Sequence, residues 1–127
     1  MSETGHAFND FSLVMTRGDE LKLNLAVKTI VDDTESAQDI STGVVRIIGK
    51  KSLSDSDDDA VFDLDNGDLG GIVTVSAPDG TAQATIAPDK TAGLPSQTVN
   101  LYVRCLWTTA AGKPHTFRTG MLAVRPG

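Results

Sequence analysis

The residues best able to do chemistry are acidic and crowded together. Asp55, Asp57 and Asp59 alternate, and Asp63, Asp65 and Asp68 follow within ten positions. Calcium needs several carboxylate and carbonyl oxygens that converge on one point. An EF-hand loop counted from Asp55 would need glycine at its sixth place and glutamate at its twelfth. Those places hold Ala60 and Asn66, so that motif fails. Asp55, Asp57 and Asp59 remain candidates for a looser calcium site. The competing reading is a charged loop that keeps neighbouring strands soluble and unpaired.

Nucleophilic chemistry finds less support. Cys105 is the sole cysteine, and it falls in the apolar phase of a strand pattern between Val103 and Trp107. A buried thiol in apolar surroundings keeps its proton and is inert. His6 and His115 have no local partner that suggests a triad. The serines lack a G-x-S-x-G elbow. Asp68-Leu69-Gly70-Gly71-Ile72 lacks the lysine of a phosphate loop, and one cysteine with two distant histidines cannot make a zinc site. The expectation is a chain without catalytic residues or cofactors.

Arg17-Gly18-Asp19 matches a tripeptide read by cell-adhesion receptors, but short matches of this kind arise often by chance. It stands between the apolar run 11–15 and an alternating segment from Glu20. Gly18 can take a positive φ, so the tripeptide reads as a bend at the end of the first strand. In that reading Asp19 bonds nearby amides, and Arg17 points outward as a solvated or interface charge.

The elements that must position these residues are strands. Leu21, Leu23, Leu25 and Val27 alternate with Lys22, Asn24, Ala26 and Lys28, the period of a strand with one buried face. A polar loop is expected over 32–42, then strands at 44–50 and 60–64. Residues 72–77 and 81–87 flank Pro78-Asp79-Gly80, a hairpin with turn chemistry. Residues 88–95 suit a single 3₁₀ turn. Val99, Leu101, Val103, Cys105 and Trp107 point one way in the clearest strand, and Leu106 is an exception on its polar side. A last strand covers 116–124. The expected core is Leu21, Leu23, Leu25, Val99, Leu101, Val103, Cys105 and Trp107.

These signals predict an all-β fold: an Ig-like antiparallel β-sandwich of about seven to eight strands, with a short N-terminal arm. The arm is residues 1–10 and the domain 11–127. The chain has 127 residues, with 11 Lys and Arg against 17 Asp and Glu, a net charge of −6. That balance argues against nucleic acid as the main partner. No long apolar run suggests a membrane span, and the polar start carries no secretory signal. Synthesis in a cytoplasm is expected, and the lone cysteine makes folding independent of an oxidising compartment.

Three stretches resemble a family of small Ig-like proteins and domains of tailed bacteriophages, including the N-terminal domain of upper baseplate proteins. They are VMTRGDELKLNLAVK, DISTGVVRIIGKKS, and the long run from GGIVTVSAPDG through the D-K-T-A-G-L-P corner to LAVRP. The chain departs from the family pattern after that corner. Ser96-Gln97-Thr98-Val99 replaces its usual glycine-tyrosine. The resemblance implies a non-enzymatic virion component, made in the host cytoplasm. Its partners would be other virion proteins of the tail, baseplate or fibre-attachment apparatus, with homo-oligomers in the particle as one form of assembly. Capsid decoration is an alternative. A glycan- or calcium-dependent adhesion module is a further one, motivated by the acidic loop and by Arg17-Gly18-Asp19.

Overall fold

The computed structural model describes residues 4–6, 9–52, 54, 56, 59–67 and 69–126. Their chain order is β1 (Thr4–His6), β2 (Asn9–Thr16), β3 (Leu21–Ala26), β4 (Lys28–Val31), β5 (Thr34–Ala37), β6 (Val44–Lys50), β7 (Phe62–Asp65), β8 (Ile72–Ser76), β9 (Thr81–Ile86), a 3₁₀ turn at Pro88–Lys90, β10 (Val99–Thr108) and β11 (Pro114–Arg125). One sheet has the order β2-β11-β10-β6-β7 and the other β3-β9-β8. These eight strands form the Ig-like sandwich. β1, β4 and β5 form a separate three-stranded ribbon.

The alternation read in the sequence packs the two sheets. Leu23 and Leu25 of β3 are buried, as are Leu101, Val103, Cys105 and Trp107 of β10. Leu21 and Val99 are half-buried against the same core. Large residues lie beside small ones: Leu23 is paired with Ala84, and Leu25 with Ala82. That alternation lets side chains from the facing sheet fill the space at the density of a protein interior. Each large aliphatic so buried contributes roughly 1.5–3 kcal/mol.

Three details depart from the sequence reading. The sandwich is not wholly antiparallel, since β2 pairs with β11 in parallel, Asn9 opposite Arg118 through Thr16 opposite Arg125. Both strands run to the same end of the sandwich, where β2 must turn across to β3 in the opposite sheet. The stretch 32–42 is not all loop. β4 and β5 make a hairpin whose two-residue turn, Asp32-Asp33, has φ values of 51° and 64°. Positive φ at both central residues is the geometry that matches the twist of paired strands. Finally, the segment expected as an arm contributes backbone to two sheets. Thr4–His6 pairs with β4, and β2 starts at Asn9.

β11 carries a bulge. Cys105 pairs with Arg118, yet the next residue, Leu106, pairs with Thr116. Phe117 is the extra residue, and the bulge turns it into the core, where it is 2% exposed.

Candidate functional site

Arg17-Gly18-Asp19 forms a joint between the sheets. The Asp19 amide donates to Thr16 O at 3.0 Å, and Gly18 has φ +86°. The Asp19 amide, not its carboxylate, closes this turn, and the side chain is exposed. Arg17 does not project as a solvated charge. Its guanidinium donates to Leu94 O at 2.9 Å, and its amide to Arg125 O at 2.8 Å. The Gly18 amide donates to the hydroxyl of Thr91, which is fully buried. The sequence reading of an outward Arg17 failed because the corner at 88–95 lies far along the chain but folds back against this turn.

The open space around Gly18 gives a clean test. A Cβ there meets nothing within 4 Å, so Gly18→Ala carries only the left-handed backbone penalty. Urea denaturation should show a loss of about 1 kcal/mol for Gly18→Ala and almost none for Asp19→Glu.

Of the calcium candidates, Asp55 and Asp57 lie outside the described residues. Asp59 is exposed and accepts a hydrogen bond from Ser56 Oγ at 3.1 Å. Among the described residues, no group of three or more His, Cys, Asp or Glu is placed to hold a metal ion. Cys105 is fully buried, and burial pushes its thiol up to about 12. His115 stacks on Trp107 with ring centroids 6.1 Å apart.

The surface that gathers unusual side chains is the outer face of the five-stranded sheet. The strand registers line them up in rows. Met121, Tyr102 and Lys50 form one row; Thr119, Arg104, Ile48 and Asp63 the next; Thr116, Leu106, Arg46 and Asp65 the third. All of these but Asp63, Asp65 and Thr116 line a concave groove of about 660 Å³. Ile48 and Leu106 occupy outward positions yet are only 3% and 7% exposed. Their neighbours explain this. Arg104 lies opposite Ile48 and Arg46 opposite Leu106, and such long side chains lay their alkyl stems over adjacent apolar groups while the charged heads reach water.

The cations are held in place. Arg46 Nε donates to Asp63 Oδ1 at 2.7 Å, and a second bond joins the same two groups. Arg104 Nε donates to Thr116 Oγ1 at 2.7 Å, and Arg104 is otherwise exposed. Tyr102 and Met121 flank it, both exposed. An acidic chain thus carries a groove with an aliphatic floor, a cationic rim and exposed Tyr and Met. Aromatic residues, Met and Arg are the side chains enriched where proteins bind proteins.

The sequence held a signal for this face. Ile48 and Leu106 are apolar residues in the outward phase, each with cations two positions away: Arg46 and Lys50 around Ile48, and Arg104 before Leu106. Pairing them across strands required knowing that β6 lies beside β10.

No protein-family model matches the chain, and no curated protein does. Among solved structures, the chain is similar to the crystal structure of AggA, the major subunit of aggregative adherence fimbriae type I from Escherichia coli. The identity is 14%, over 98% of this chain and 93% of that one, with a TM-score of 0.29. So loose a superposition carries no functional argument.

Proposed function

We propose that the chain is a non-enzymatic structural protein of a tailed-phage virion, binding other virion proteins in the tail, baseplate or fibre-attachment apparatus. The groove on the five-stranded sheet supports this reading most directly. Its floor of Ile48 and Leu106, rimmed by Arg46 and Arg104 and flanked by Tyr102 and Met121, has the composition of a protein-binding surface. It sits on strands rather than loops, so its shape is set by the sheet and not by the partner. The three sequence stretches that resemble phage Ig-like proteins point the same way. Arg17 and Gly18 are spent on fixing the sandwich, which disfavours the adhesion reading.

Mass spectrometry of gradient-purified particles provides the test. The chain should co-purify with virions and, after disruption, sediment with tails. Its absence from particles would overturn the proposal, and immunogold label on heads would replace it with capsid decoration.

A further inference from the structure

Among the described residues, the β4–β5 ribbon is a second surface without an evident internal task. β5 is exposed along its whole length, and Val31, the last residue of β4, is 39% exposed. Its apex is the Asp32-Asp33 turn, followed closely by Glu35, which pairs with Lys28 at 2.8 Å. The tip therefore presents an apolar side chain next to carboxylates. The groove presents the complement, the exposed Tyr102 and Met121 beside Arg104. A cavity of about 660 Å³ falls in the size range that holds a compact ligand, and the tip of a two-residue hairpin is a ligand of that class.

We propose that the ribbon tip of one copy docks in the groove of a second copy, placing the Asp32 and Asp33 carboxylates against Arg104 and Val31 against the exposed Tyr102 and Met121. This rests on reading the groove as a protein-binding surface and names its occupant. Charge is the reason to choose a second copy. The chain carries −6 overall, so two copies repel unless carboxylates of one meet cations of the other, and tip to groove does that. The two surfaces are different, so the contact is head to tail. Every open oligomer then keeps one free tip at one end and one free groove at the other, and association continues into a ring or an open filament. A modest single contact suffices in such an array, because repetition multiplies its effect.

Sedimentation velocity on the full chain tests this with two variants. Asp32→Gly with Asp33→Gly removes both carboxylates and keeps a turn that glycine favours. Arg104→Glu reverses the rim charge at an exposed position. The wild-type chain should form oligomers that grow with concentration and dissolve at high salt. Each variant alone should associate about tenfold more weakly or worse. An equimolar mixture should form dimers and nothing larger, since one intact groove and one intact tip make a single junction. Misfolded variants could not recover association on mixing. Wild-type chain that stays monomeric, a variant that oligomerises normally, or a mixture that stays monomeric would each overturn the inference. Recovery of that same monomeric chain in purified virions would leave the proposed function standing.

Discussion

Gly80→Ala should lower the melting temperature by roughly 10 °C or more, far beyond the effect of Gly18→Ala. Both glycines have positive φ, +71° at Gly80 and +86° at Gly18. Alanine pays about 1–2 kcal/mol at either position for the left-handed backbone. At Gly18 nothing more is added. At Gly80 a Cβ would lie 2.4 Å from Gln38 O and 2.5 Å from Val27 O. Both are backbone atoms and neither can swing away. The Val27 amide donates to Gly80 O at 2.8 Å, and the Gln38 amide donates to Val27 O at 3.0 Å. Gly80 thus fills the gap where the two ends of the ribbon meet the β8–β9 turn. Relieving the clash means breaking that junction, a cost of about 1–3 kcal/mol on top of the strain. Parallel urea titrations of both variants would show it. Equal losses would mean that the ribbon root is not packed against this turn.

The same junction shows why the sequence revealed some elements and hid others. The hairpin around Pro78-Asp79-Gly80 was legible because turn chemistry and flanking strands coincide. The Gly80 amide closes the turn on Ala77 O at 3.1 Å, and Ser76 Oγ donates to Asp79 at 2.9 Å. β10 was legible because its alternation is long. The β4–β5 hairpin was not. Asp-Asp is a poor signature for a turn with two positive φ values, and Thr34–Ala37 has no buried face to leave an apolar period. Strand patterns come from burial, and a ribbon exposed on its outer strand writes none.

The groove was half legible. Leu106 stood out as an apolar residue on a polar phase, and Arg46 and Arg104 as cations on strands. What the linear pattern could not show was adjacency. Arg104 and Ile48 are 56 positions apart and become neighbours only through the β10–β6 register. Arg17 failed for the same reason, since its acceptor, Leu94 O, is 77 positions away. Alternation reports which face a side chain takes but not which strand lies beside it.

Cys105 should resist alkylation in the folded chain and weaken the fold at alkaline pH. Its side chain is fully buried at the centre of β10, and burial raises the thiol from 9.0 to about 12, partly opposed by the nearby Arg118 cation. At a given pH the folded chain then holds about a thousandfold less thiolate than the unfolded chain. Iodoacetamide near neutral pH should therefore modify the protein only as fast as it opens. The linkage has a definite sign. The folded pKa lies above the unfolded one, so this stabilisation is complete below pH 9.0 and is lost as pH rises towards 12. Comparison with Cys105→Ala isolates the contribution of this thiol. Between about pH 8 and about pH 10.5, the wild-type chain should lose about 2 kcal/mol more stability than Cys105→Ala, as measured by urea midpoints. Equal losses in the two chains, or rapid alkylation of the folded protein, would place the thiol at the surface rather than between the sheets.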